Sequence, residues 1–316
     1  MLLYYRYSNY LKDKYGAKTY KLPINLPVTC PNRDGNVGEG GCTFCGEEAA
    51  GFENLSAELS VKKQLINNRE YIGEKYGAEL FIAYFQNFTN TYMPLEKLKD
   101  YIGESLEIDG IVEITLSTRP DCISDKYLGE IKKLIDNKSS DINLSLELGL
   151  QSVNYHTLID VNRGHTLAEF IDAVMLARKY GVEVGVHLIP NLPGDNIIDV
   201  IESAKILSAL SVDTVKLHAL YIREDTAMGE QYKKNELDII SMEEYIERVI
   251  AFLEHLDPDI GVQRLLGRAP EENTLFVNWG YSWWKIQDMI LKEMEKRNTY
   301  QGKKFKYLDG KALKKF

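Results

Sequence analysis

Six segments that read as strands alternate with segments that read as helices between residues 18 and 236, and no other feature of the chain limits its fold as much. "KTYKLPI", "ELFIAYF", "GIVEITLS", "INLSLELGL", "GVEVGVHLI" and "DTVKLHALY" are short and rich in β-branched and aromatic residues. Helix-like stretches separate them at 57–76, after Pro94, at 124–137, within 153–180 and at 196–210. Alternation of this kind predicts parallel βαβ units. With right-handed crossovers, six units make either a partial barrel or an open sheet, and they fall short of the eight that close a full barrel.

The strands themselves favour the barrel. Glu113, Thr115 and Ser117 alternate with Val112, Ile114 and Leu116; Ser145 and Glu147 alternate with Leu144, Leu146 and Leu148. Glu183 and His187 do the same in the fifth strand, and Lys216 and His218 in the sixth. A strand covered by helices on both faces would be apolar throughout. Helices therefore cover the apolar face, and the polar face points into a lumen shaped to hold something polar. Internal ion pairs with no ligand are the plainer alternative. The expected fold is α/β: a partial (β/α)6 TIM-like barrel over 1–235, then a mainly helical extension over 236–316. The extension has a helix in "SMEEYIERVIAFLEHL", an irregular "QRLLGRAPEENTLFVNWG", a helix from about 282 to 296, and a basic tail.

Three of the four cysteines fall in one glycine-rich loop after the first strand, "CPNRDGNVGEGGCTFCG" at 30–46. So few cysteines in 316 residues do not make a disulfide scaffold, and their clustering points to metal binding in a reducing cytoplasm. No apolar run is long enough to span a membrane, and the start has no signal-peptide pattern. Cys30, Cys42 and Cys45 leave a metal centre one ligand short. A structural zinc site needs four, and the five histidines, at 156, 165, 187, 218 and 255, all lie elsewhere. Cys122, at the end of the third strand, could supply the fourth only through the fold. It reads otherwise as a small buried residue or as a thiol near a substrate. An iron–sulfur cluster on three cysteines keeps one iron open, and this loop sits at the barrel mouth, where active sites of such folds lie.

The triplet, together with "YFQNFTNTY", "STRPDC", "ELGLQSV" followed by "NRGHT", and "VKLHALY", resembles the radical S-adenosylmethionine (SAM) enzymes. Within them it resembles the Elongator-catalytic-subunit-like branch and its YhcC/YtqA-type bacterial subgroup, over about residues 4–305. The spacing here is C-x11-C-x2-C, where most of the superfamily has C-x3-C-x2-C. The resemblance implies a [4Fe–4S] cluster on Cys30, Cys42 and Cys45, with SAM chelating the open iron. An electron from a donor such as flavodoxin or ferredoxin would cleave SAM to methionine and a 5′-deoxyadenosyl radical. Gln86, Thr89 and Asn90 are then candidates for the methionine amino end, and Ser117 joins the SAM-binding set. Gln151 and Arg163 match positions where an arginine pairs with the SAM carboxylate. His187 falls where relatives carry a ribose-binding carboxylate, and Ile189 and Leu220 would line the adenine. Without the motif, Arg163 reads as a surface residue before a helix capped by Thr166. Gly194 reads as a tight turn, and His156 and His165 as structural.

Net charge is −9, which argues mildly against a nucleic-acid partner, but its distribution softens that. Residues 1–33 carry six basic side chains against Asp13, and 297–316 carry seven against Asp309; both ends are also aromatic. Such mixtures neutralise phosphates and stack on unpaired bases, although two solvated ends would look the same. The resemblance points to tRNA and to modification of the wobble-uridine side chain, carboxymethylaminomethyl to aminomethyl. Glu113, Glu147, Lys216, His218 and Cys122 are then the groups expected nearest the reacting carbon. Two alternatives stay open: the same chemistry on a small molecule or protein, or a non-enzymatic, metal-stabilised RNA-binding module.

Overall fold

The computed structural model describes residues 2–46, 54–270 and 272–313; the end of the basic tail, Lys314 to Phe316, lies outside them. All six expected strands form: β1 (Thr19–Ile24), β2 (Leu80–Phe85), β3 (Ile111–Thr118), β4 (Asn143–Gln151), β5 (Glu183–Leu188) and β6 (Thr214–Leu217). They lie side by side in chain order, all parallel. A short antiparallel ribbon follows from β7 (Ile222–Arg223) and β9 (Thr274–Phe276). Between them in sequence, β8 (Gly261–Arg264) joins the main sheet beside β6, so the extension supplies a seventh parallel strand. Lys21 on β1 reaches Gln263 on β8 at 2.8 Å. First and last strands therefore face each other, and the sheet is curled into a partial barrel.

The helices α2 (Val61–Tyr76), α3 (Leu95–Ser105), α4 (Asp125–Lys138), α6 (Leu167–Lys179) and α7 (Ile197–Ala209) cover the outside, with the one-turn α5 (Tyr155–Asp160) preceding α6. Their apolar stripes (Leu98, Ile102, Ile131, Ile135 and Phe170 among them) bury Ile114, Leu116, Leu146, Leu148 and Val184 completely. Thr166 with Glu169, and Asn196 with Asp199, form capping boxes that fix where α6 and α7 begin. Gly194 makes the tight turn before α7 at φ +93°. No described helix is long and apolar enough to cross a membrane.

The unexpected element is α1 (Tyr7–Tyr15), which lies against β1 and β8. Its entry is pinned to the sheet: Val262 donates a backbone hydrogen bond to the Tyr5 carbonyl at 2.8 Å, and Arg6 pairs with Val262. Gln301 ties the two ends of the chain, accepting from the Tyr5 amide at 2.8 Å and donating from its backbone to Leu3. In the extension, α8 (Ala227–Lys233) leans on the cysteine loop through Met228 N–H to the Thr43 carbonyl. Helix α9 (Met242–His255) packs on α7, and α10 (Trp283–Lys296) packs on α9.

Candidate functional site

The lumen is polar, as the alternation requires, and it has two tiers. In the lower tier Lys14 of α1 sits between Glu113 at 2.8 Å and Glu183 at 2.6 Å. Tyr15 donates to Glu113 and Tyr10 to Glu183, while Thr115 and Ser145 complete the Glu113 carboxylate. Burial opposes the charge on Glu113, but Lys14 and these donors hold its carboxyl below the usual range. Burial and the repulsion of Glu113 push Glu183 upward instead. Glu113 was expected near the reacting carbon. The structure places it under the plug formed by α1, away from the large cavity, because an early turn of the strand lies at the N-terminal end of the barrel. The same helix corrects the reading of the N-terminal end as a docking face: Lys14, Tyr10 and Tyr15 point inward to carboxylates, and so does Lys21.

The upper tier opens into a cavity of about 910 Å³. At its floor Glu147 accepts from Tyr84 at 2.6 Å, His187 Nε2 at 2.7 Å, Gln263 at 2.8 Å, Lys216 at 3.4 Å, and Lys21. Burial raises its proton affinity, yet Lys21, Lys216 and His187 together hold the carboxyl well below the usual range. Burial lowers Lys216 to about 7 against the pull of Glu147. Burial and Lys216 lower His187 to about 4, so a neutral imidazole donates to Glu147. His218 is pushed well below 6.5 by burial, Arg264 and His187.

The cysteine loop forms the mouth. Gly40 and Gly41 take φ of +76° and +81°, which lets the loop fold back so that Gly41 N–H reaches the Asn32 carbonyl. Asn32 donates to the Asn162 carbonyl at 2.6 Å and Asn162 to the Gly41 carbonyl at 2.8 Å, docking the loop on the segment after β4. Cys30, Cys42 and Cys45 all line the cavity. Arg163 donates from Nη1 to Cys42 Sγ at 3.3 Å and from Nη2 to the Gly149 carbonyl at 2.6 Å; Arg33 donates to Cys45 Sγ at 3.4 Å. A Cβ on Gly149 would fall 2.8 Å from Arg163 Nη2 and 2.9 Å from the Gln151 amide, so a side chain there would push both groups from their present positions. Gln151 itself sits at φ +75°, a strained setting for a residue with a side chain.

Thr89, Ser117, Gln151, His187, Ile189 and Leu220 line this cavity with Gln86 and Arg163. Ile189 and Leu220 belong to a small apolar cluster with Val161 and Leu192, packed against Phe44 of the cysteine loop. Besides Glu113, two candidates do not reach it. Asn90 is fully buried and its amide donates to the Phe85, Asn87 and Ser117 carbonyls, shaping the turn rather than facing the cavity. Cys122 lies off the cavity wall beside Asp121, and burial pushes its thiol up to about 12, so it stays protonated. His165, read as structural, is buried against the Gly149 carbonyl, with burial and Arg163 lowering it to about 2. Tyr84, Lys21, Arg33, Arg119 and Arg264 line the cavity without having been singled out; Arg33 in "CPNRDG" and Arg119 in "STRPDC" were inside quoted motifs.

The donor set suits a cluster. A cluster spreads its thiolates over separate irons. The Nε of Arg163 is buried without a partner, a donor waiting for an anion beside the thiols.

Comparison with known proteins fits this geometry. Residues 25–207 match the Radical SAM superfamily, and residues 212–296 match the Radical_SAM C-terminal domain. The chain is 35% identical to YtqA of Bacillus subtilis (strain 168) over 308 residues, covering 97% of this chain and 94% of YtqA. It is 29% identical over 190 residues to the tRNA uridine(34) acetyltransferase of Methanocaldococcus infernus, 59% of this chain but 34% of that protein. The solved structure of the archaeal Methanocaldococcus infernus Elp3 with an N-terminal deletion superposes with a TM-score of 0.68, over 90% of this chain and 64% of that one. At 19% identity that is a likeness of fold.

Proposed function

Because the chain belongs to the radical SAM superfamily, whose enzymes work with a [4Fe–4S] cluster and SAM, we propose that its cysteine-lined cavity cleaves SAM reductively and serves wobble-uridine modification in tRNA. One observation carries the reading: three thiols and the partly unpartnered Arg163 guanidinium converge on a single large cavity with a polar floor. Cys30, Cys42 and Cys45 would hold the cluster, which supplies the electron that splits SAM into methionine and a 5′-deoxyadenosyl radical. Arg163 would take the SAM carboxylate through a charge-assisted hydrogen bond, with Gln151 beside it. Gln86 and Thr89 are candidates for the amino end, and Ile189 and Leu220 offer the adenine an apolar wall. Nε2 of His187 donates to Glu147, so the ring helps to fix the floor while it lines the cavity.

Support for an RNA substrate comes from the relatives named above and from exposed cations in the tail, Lys303, Lys306 and Lys311. The finer reading, conversion of a carboxymethylaminomethyl to an aminomethyl side chain on uridine, rests on the resemblance to the YtqA-type subgroup. The test is anaerobic reconstitution with iron and sulfide, reduction with SAM, and assay for 5′-deoxyadenosine beside Cys42→Ala. Product from the wild type alone is expected. Stoichiometric zinc and no SAM cleavage would leave only a metal-stabilised binding module. Binding of tRNA that weakens steeply with salt is expected next. SAM cleavage with no tRNA affinity would transfer the chemistry to a small molecule or protein.

A further inference from the structure

Among the described residues, nine arginine and lysine side chains line the cavity against one carboxylate, Glu147, in a chain whose net charge is −9. Most of these cations are already engaged. Arg33 and Arg163 lie on the cysteine sulfurs, Arg119 is held by Asp121, and Lys21 and Lys216 share Glu147. Arg264 is different. Among the described residues its hydrogen bonds run only from Nη2 to the neutral ring of His218, and its buried Nε has no partner there. Strand register puts it beside Lys216, in the same cross-sheet row as His187. A guanidinium next to an amine, with no carboxylate of its own, is costly to bury and calls for an anion from outside the chain.

Neither cofactor supplies that anion. SAM that chelates iron through its amine brings one carboxylate against one sulfonium, so it adds no net negative charge, and the unpartnered Nε of Arg163 stands beside the thiols for that carboxylate. The thiolates are matched by Arg33 and Arg163. We propose that Arg264, with Lys216 beside it and His218 orienting its fork, forms an oxyanion subsite that binds a carboxylate or phosphate group of the substrate. A guanidinium suits this because its planar donors match two oxygens of such a group at once. The inference names the substrate chemistry of the cavity and rests on its reading as a radical SAM site.

The experiment is calorimetric titration of the anaerobically reconstituted, SAM-loaded protein with acetate and, separately, with inorganic phosphate. Wild type, Arg264→Gln and Arg264→Lys are compared, and thermal melting checks that each variant is folded. At least one anion should bind the wild type, about tenfold or more weakly in Arg264→Gln, with Arg264→Lys between. Cluster absorbance and SAM affinity should stay within about twofold of wild type, since the hydrogen bonds of Arg264 run to His218 and not to a thiol, Arg163 or Gln151. Acetate without phosphate would identify a carboxylate, and the reverse a phosphate. The inference is overturned if neither anion binds, if Arg264→Gln binds them as the wild type does, or if that variant loses SAM affinity instead. A wild type that forms no cluster would sink the reading of the cavity, and the same titration without SAM would still decide the subsite.

Discussion

Glu113 and Glu147 stand on neighbouring strands of the same inner face, both almost wholly buried, and the chain treats them in opposite ways. Glu113 is sealed beneath α1 with a lysine, a tyrosine and two hydroxyls that leave it no free edge. Glu147 faces an open cavity, and the cations around it outnumber it. The lower tier is a closed circuit that holds the barrel end together. The upper tier is an incomplete one whose missing charge is to come from a ligand. A polar lumen thus divides by what covers it and not by which residues line it.

The same substitution in the two places tests that division. Glu113→Ala leaves Lys14 buried with only the upward-shifted Glu183 and should cost ~3–5 kcal/mol of stability in urea denaturation. Deoxyadenosine formation per folded molecule should not change; its loss would put Glu113 back in the reaction. Glu147→Ala should cost less, ~1–3 kcal/mol, because the cavity admits water and Lys216 can shed its proton. It should, however, abolish substrate turnover, whereas equal stability losses in both variants would erase the distinction between the tiers. The third test is a pH signature. Lys216 is lowered from 10.5 to about 7, so between those values the unfolded chain holds a proton that the folded chain has released. Stability therefore climbs as pH rises through that window, and Lys216→Met should remove that climb. An unchanged slope in Lys216→Met would mean that the amine is solvated like a surface lysine.

How far the sequence could lead follows the same boundary. The inner face was legible because strands alternate with period two, so Glu147, His187, Lys216 and His218 could be placed in the lumen without coordinates. The cysteines and Arg163 were legible through their spacing and the motifs around them. The plug was not. Helix α1 has a single fully buried apolar residue, Leu11, and presents tyrosine hydroxyls and Lys14 inward, a pattern that reads as a solvated basic end until its carboxylate partners are known. That is why Glu113 was assigned to the wrong tier. Strand β8 is four residues, "GVQR", too short for periodicity to register, and with it Gln263 and Arg264 were missed. Asn90 was misread for a different reason: a motif names a loop, but only coordinates say which of its amides turn back onto the backbone.

The tie between Tyr5, Val262 and Gln301 has a consequence for how the chain is made. Helix α1 leaves the ribosome before the six strands, yet the strand edge it enters against and the glutamine that clamps it leave after them. Between the synthesis of β5 and that of β8, Glu113 and Glu183 face each other without Lys14 held between them, and the barrel end stays open. Nascent chains stalled before residue 261 should thus be cut readily within α1 by a protease, with protection arriving only after residue 301 has cleared the exit tunnel.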